Sequence, residues 1–185
     1  MRSLSVWKAP RLLLEHYIYY QYPGPTHKYL IMPNISTTIE INCTPEALSA
    51  YLAQPWLWHE WHPNSKGATA ESKHLAVGDT FTEQFEAQPV SFLPLRIRRE
   101  FHYTVVHEEP CLFRELSATG KGVKIRFRYH FEPNGTGAKF TRILDYELSG
   151  LLRLLGPLFR QQNIKNSNLA MVNLKRRMDP GSSPG

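Results

Sequence analysis

The stretch LLRLLGPLFRQQNIKNSNLAMVNLKRRM, Leu151–Met178, decides how the rest of the chain must be arranged. Pro157 suits the first turn of a helix, where its missing N–H has no intrahelical partner, and Asp179-Pro180-Gly181 is a stop signal. A helix from Pro157 to Met178 spans about 33 Å at roughly 1.5 Å per residue, the width of a small domain. Ile164, Ser167, Met171, Leu174 and Met178 recur at helical spacing, and Leu155, Leu158 and Phe159 supply apolar mass at the start. The middle differs: Gln161, Gln162, Asn163, Asn166, Ser167 and Asn168 stand where a plain core helix carries leucines. Amides on an inward face predict a helix that looks onto a cavity.

Upstream, the chain alternates with the period of half-buried strands. Ile35, Thr37, Ile39 and Ile41 form one face of a first strand. Thr44 then offers an N-cap, Pro45 an N1 residue and Glu46 a first-turn acid, so a helix runs to about Gln54. Pro55 ends it before a second short helix in WLWHEWHP, Trp56–Pro63. Strands are expected at 66–72, 80–87, 95–107, 111–119, 123–132 and 138–148, split by turns at Val77-Gly78-Asp79, Gly120-Lys121-Gly122 and Pro133-Asn134-Gly135-Thr136-Gly137. Val123–Glu132 is the clearest, with Val123, Ile125, Phe127, Tyr129 and Phe131 on one side and charged residues on the other. Hairpin-length links mean an antiparallel sheet, and the terminal helix is the element long enough to cover its dry face.

At 185 residues the chain fits one domain with extensions. Residues 1–33 read as an N-terminal extension, poorly ordered or upstream of a natural start at Met32, although Leu4–Tyr20 also fits an amphipathic helix on a lipid surface. The helix-and-sheet domain occupies 34–178, and 179–185 reads as a flexible tail. Arg2, Lys8, Arg11 and Lys28 against Glu15 place +3 of the formal +6 in the first 33 residues. The body is then only mildly basic, so no nucleic-acid partner is expected, and membrane contact has weak support. Cys43 and Cys111 make neither a disulfide framework nor a zinc site, which favours a reducing, cytoplasmic setting. No run reaches the roughly 20 apolar residues of a membrane span.

This order of elements, with four local patterns, resembles the START-like superfamily known as SRPBCC, and within it the polyketide cyclase/dehydrase and lipid-transport group. The patterns are ISTTIEINCTPEALSAYLAQPWLWHEWHP at 35–63, AVGDTF at 76–81, FEPNGTGAKFTRILDYEL at 131–148 and the closing stretch quoted above. The resemblance covers Asn34–Met178 and implies an α+β helix-grip fold. In it, a curved antiparallel sheet of about seven strands wraps a long C-terminal helix, with two short helices after strand 1 and a deep pocket between sheet and helix. Members bind lipids, sterols, polyketides, quinones or plant hormones, so membership implies a pocket more than a chemistry. The first 33 residues have no counterpart in a typical member.

Charges on inward strand faces are what a plain core lacks. The alternation points Glu83, Arg99 and Arg142 toward the helix, with Tyr146 further along the strand of Arg142. Burying an unpaired charge is costly, so each needs a partner, a wet cavity or a bound polar group. In the functional reading, apolar walls from Phe81, Phe85, Phe101, Phe127, Tyr129 and Leu144 hold a hydrophobic ligand. Arg142, Tyr146, Gln162, Asn163 and Asn166 then orient its carboxylate, carbonyl or enolate. In the structural reading, Glu83 pairs internally with an arginine, or the charges escape at a sheet edge, and one bulge would reverse every facing.

Other chemistries have thinner support. His59, Glu60 and His62 lack the third or fourth ligand of a metal site, Trp58 and Trp61 read as a plug at one end of the grip, and the histidines as near-surface groups. No metal or cofactor is therefore expected. The G-x-S-x-G match, GSSPG at 181–185, falls in the tail with no strand before it, and neither cysteine has a base beside it in sequence. Acid–base catalysis stays open, with Arg142, Tyr146 and Glu83 as the residues to carry it in a cyclase or dehydratase. The leading expectation is a binder of a small hydrophobic ligand such as a lipid or polyketide. The alternatives are an enzyme of that type and a protein-interaction module on the same fold.

Overall fold

A computed structural model describes residues 34–87 and 96–179, so the expectations placed on 1–33, on Leu95 and on 180–185 lie outside the described residues. Strand β1, Ile35–Ile41, buries its end isoleucines and exposes Ser36, Thr38 and Glu40. Helix α1, Pro45–Leu52, starts as its sequence dictates: Thr44 Oγ1 accepts from the Ala47 N–H at 3.3 Å, and Pro45 occupies the first turn. Pro55 then opens a 3-10 helix, Pro55–Glu60, rather than a second α-helix. A short run between two prolines has no room to nucleate α-helical hydrogen bonds. Trp58 Nε1 donates to Leu52 O at 3.0 Å and folds this piece back on α1.

The strands that follow are β2 (Ser65–Ala70), β3 (Thr80–Ala87), β4 (Ile97–Glu109), β5 (Phe113–Gly120), β6 (Val123–Asn134) and β7 (Gly137–Leu148). They form one seven-stranded antiparallel sheet in the order β1-β7-β6-β5-β4-β3-β2. Since β1 and β2 occupy opposite edges, α1 and the 3-10 helix carry the chain from one edge to the other. Where β1 crosses the start of β7, a Cβ on Gly137 would stand 2.5 Å from Ile41 O, so only glycine fits there. One register shift falls in β4, between Val105 and His107. It lies beyond Arg99, Phe101 and Tyr103, so the inward facing of those residues is preserved.

Helix α2, Gly156–Met178, closes the chain after a 3-10 turn, Gly150–Leu155. Its second half packs on the sheet through Ser167, Ala170, Met171 and Leu174. That end is moored by polar contacts. Asn173 Nδ2 donates to Trp61 O at 3.1 Å, Lys175 Nζ to Glu40 O at 2.7 Å, and the Asn42 N–H to Asp179 Oδ1 at 2.8 Å. Arg177 Nε lies 2.7 Å from Glu60 Oε2, which also accepts from Tyr51 Oη at 2.9 Å. Burial and the Glu60 carboxylate push the Tyr51 phenol up to about 12. The entry to α2 is different: Leu155, just before it, and Leu158 are 47% and 37% exposed, so of the apolar mass expected there only Phe159 packs against the core. The architecture is the α+β helix grip, with the terminal helix held against the concave sheet.

Candidate functional site

Between the first half of α2 and the sheet lies a cavity of about 380 Å³. The reason is local. Phe159, Gln162, Asn163 and Asn166 project from successive turns but stay only half-buried, whereas Ser167, Met171 and Leu174 further along pack fully. A short serine over Arg142 marks where solid packing gives way to open volume.

Alternation on four strands supplies the opposite wall. Glu83 and Phe85 come from β3, Arg99, Phe101 and Tyr103 from β4, Phe127 and Tyr129 from β6, and Arg142, Leu144 and Tyr146 from β7. Cross-strand register sets Tyr129 beside Arg142, Phe127 beside Leu144 and Ile125 beside Tyr146. Twelve of the thirteen residues expected from sequence to contact a ligand therefore line this cavity, α2 amides included. Phe81 does not: it is buried outside the wall, stacked on Tyr103 with centroids 4.6 Å apart and set edge-on against Trp58 at 5.4 Å. Arg99 lies at the rim, where its Nη1 donates to Lys121 O at 2.8 Å.

The far end from that rim is polar. Arg142 is buried, donates through Nη1 to Ser167 Oγ at 3.0 Å, and its guanidinium carbon sits 4.7 Å from the Phe127 ring centre. Glu83, buried as deeply, accepts from Tyr103 Oη at 2.7 Å. The internal Glu83–arginine ion pair weighed from the sequence is not formed, and each charge takes a hydroxyl partner instead. Burial raises the Glu83 carboxyl pKa, opposed by the hydroxyls of Ser65 and Tyr103 and by the Arg142 charge. Burial likewise lifts Tyr103 far above the usual phenol range, with Glu83 adding to it.

His62 corrects the expectation that the histidines stay near the surface. It lines the cavity, and burial, reinforced by Arg142, pulls its pKa down to about 3, so the ring is neutral. His59 does stay exposed, with Nδ1 2.8 Å from Trp56 O. His62 and Asn64 sit in an irregular link between the 3-10 helix and β2, where no period shows which way a side chain faces. Trp58, Trp61 and Ser167 are also wall residues, so the expected tryptophan plug is in fact part of the cavity's lining.

Five wall residues carry a buried polar atom with no hydrogen-bond partner: Trp61 Nε1, His62 Nδ1, Asn64 Oδ1, Arg142 Nε and Tyr146 Oη. Such atoms are rare in folded proteins, and here they gather round one volume. Burial raises the Tyr146 phenol pKa, while Arg160 and Asn163 on α2 draw it back. Among the described residues no three His, Cys, Asp or Glu side chains cluster as metal ligands.

The family model for polyketide cyclase / dehydrase and lipid transport matches residues 32–179. The chain belongs to this family. Its pocket is thus placed where the fold leaves room between sheet and helix. None of the curated proteins compared matches in sequence. Solved structures share the fold at low identity. A conserved protein from Geobacillus kaustophilus is 14% identical, with TM-score 0.63 over 79% of this chain and 95% of its own. A START superfamily protein from Mycobacterium smegmatis is 15% identical, with TM-score 0.61 over 78% and 96%. A protein from Thermus thermophilus is 16% identical, with TM-score 0.60 over 79% and 97%.

Proposed function

We propose that the protein binds a small, largely apolar molecule in this cavity, with an oxygen-bearing end turned toward Arg142 and an apolar body along Phe85, Phe101, Phe127 and Leu144. The observation that carries the reading is the grouping of unpartnered buried polar atoms in the wall of an otherwise aromatic and aliphatic volume. An unpaired buried donor or acceptor costs about 1–3 kcal/mol, and a ligand carboxylate or carbonyl within reach of Arg142 Nε and Tyr146 Oη offsets part of it. The volume falls within the roughly 300–1,000 Å³ of small-molecule sites. Family membership supports the same class of ligand.

The test is native mass spectrometry of gently purified protein, with thermal shifts against fatty acids, isoprenoids and aromatic polyketide analogues. Retained adducts or a stabilising shift are expected from carboxylate- or carbonyl-bearing members, and from plain hydrocarbons less. Uniformly unliganded protein with no shift across the set would sink the reading.

A second reading, a cyclase- or dehydratase-type enzyme, is favoured by Glu83. A buried carboxyl with a raised pKa facing a cavity is suited to move a proton, with Arg142 and Tyr146 to stabilise an enolate. Turnover of a poly-β-keto substrate that disappears in Glu83→Gln, with folding kept, distinguishes it from carriage alone.

A further inference from the structure

At the rim of the cavity the chain exposes leucines that a globular surface ordinarily hides. In the turn Gly150–Leu155 and the first turn of α2, Leu151 and Leu154 are 83% and 79% exposed, and Leu155 and Leu158 follow at 47% and 37%. Leu155 and Leu158 also line the cavity, as does Leu152, which packs beside the β5–β6 turn: a Cβ on Gly122 would come within 2.9 Å of it. The apolar surface is therefore continuous from the outside of the turn into the cavity.

Charge accompanies it. Gly150–Met178 holds Arg153, Arg160, Lys165, Lys175, Arg176 and Arg177 and not one Asp or Glu. Lys175 and Arg177, at the moored end, are engaged with Asp179 and Glu60. Arg153, Arg160 and Lys165 belong to the cavity half, and Arg153 and Arg160 are interleaved with the exposed leucines. Lys121 and Arg99 stand on the opposite side of the rim. Leucines to enter an apolar phase, framed by cations for anionic head groups, are the composition of an interfacial segment.

We infer that the turn Leu151–Leu158 docks the protein on an anionic lipid surface, with the cavity mouth facing the bilayer. Leu151 and Leu154 insert at the acyl boundary while Arg153 and Arg160 meet phosphate or carboxylate head groups. A second copy of the chain fits less well, since a stable protein interface needs roughly 800 Å² from each partner and an eight-residue turn presents much less. The same cations would also face each other across such a pair. No helix of the described residues is long and apolar enough to cross a membrane, so the contact is one of lying on the surface.

The test is co-sedimentation of the full chain with phosphatidylcholine vesicles, with and without phosphatidylserine. Binding is expected only with phosphatidylserine, and weaker as salt rises. Leu151→Glu/Leu154→Glu abolishes it, and Arg153→Glu/Arg160→Glu lowers the partition coefficient at least tenfold, each cation being worth roughly fivefold. All four side chains are exposed, so unfolding midpoints stay unchanged and loss of fold cannot mimic the result. No binding to phosphatidylserine vesicles overturns the inference. So does a leucine variant that binds as the parent does, which would move the contact elsewhere on the chain. Self-association removed by the leucine changes, without vesicle binding, would assign the face to a second copy and also overturn it. Vesicle binding reads the outer surface, and thermal shifts with soluble ligands read the cavity, so either result stands if the other fails.

Discussion

Arg142 Nη1 donates to Ser167 Oγ at 3.0 Å, joining β7 to α2 at the polar end of the cavity. Both residues are buried, and the bond is charge-assisted. Ser167→Ala should cost about 1–2 kcal/mol in urea unfolding and Arg142→Met about 2–3 kcal/mol, since each leaves a buried polar group unmatched. Because the two losses share one bond, the double variant should fall short of their sum by roughly 1 kcal/mol. Full additivity would mean that the bond contributes nothing in solution.

Glu83 and His62 give stability two opposed slopes with pH. The folded Glu83 carboxyl has a pKa above its usual 4.5, so its contribution is present below that value and is lost as pH rises toward the folded pKa. His62 is pulled from 6.5 to about 3, so its contribution is present above 6.5 and is lost as pH falls. Above 4.5 and below 6.5 the two slopes oppose each other in the parent protein. Glu83→Gln should then expose a stability that rises with pH, by up to roughly 1.4 kcal/mol per unit, and His62→Gln one that falls. Denaturation midpoints from about pH 4 to 7 check both signs, and matching profiles for the two variants would contradict them.

Tyr146 Oη is buried with no well-formed hydrogen bond, Asn163 on α2 being its polar neighbour, so its removal separates stability from binding. Tyr146→Phe is expected to unfold within about 0.5 kcal/mol of the parent, or slightly above it, because no well-formed hydrogen bond is lost. Affinity for a carboxylate- or carbonyl-bearing ligand should fall roughly tenfold, the worth of one such bond, while a hydrocarbon of the same size binds unchanged. Calorimetric titration of the matched pair decides it. Equal losses for both ligands would point to altered packing instead.

Two glycines should respond in opposite directions to alanine. At Gly137 the new methyl would meet Ile41 O at 2.5 Å, a backbone atom that cannot swing aside, so about 1–3 kcal/mol is lost. At Gly156, the first residue of α2, nothing lies within 4 Å and the backbone is helical, so alanine adds about 0.4–1 kcal/mol. Chemical denaturation of both variants measures the contrast.

Much of this was legible in the chain because it is local. Val123–Glu132 alternates strictly, and β6 buries Val123, Phe127, Tyr129 and Phe131 as that alternation requires. Thr44-Pro45 caps α1, and Asp179 ends α2, each by hydrogen bonds reaching only a few residues. Period alone sent Glu83, Arg142 and Tyr146 inward, and the bulge that would have reversed β4 falls past its cavity residues. His62 and Asn64 were not legible, because an irregular link has no period to read. Phe81 shares the inward face of β3 yet misses the cavity, since Trp58 from a distant element fills the space above it.

By itself, then, the sequence determined the elements, their faces and the family, all of which follow from spacing along a few residues of chain. Only the tertiary structure decided which half of α2 packs and which half stands open, that His62 lines the same cavity as Arg142, and that Leu151 and Leu154 face outward. A cavity and a bare surface are both defined by atoms that fail to arrive from elsewhere in the chain. No local pattern records that, because it depends on contacts between residues as far apart as Arg142 and Ser167 or Trp61 and Asn173.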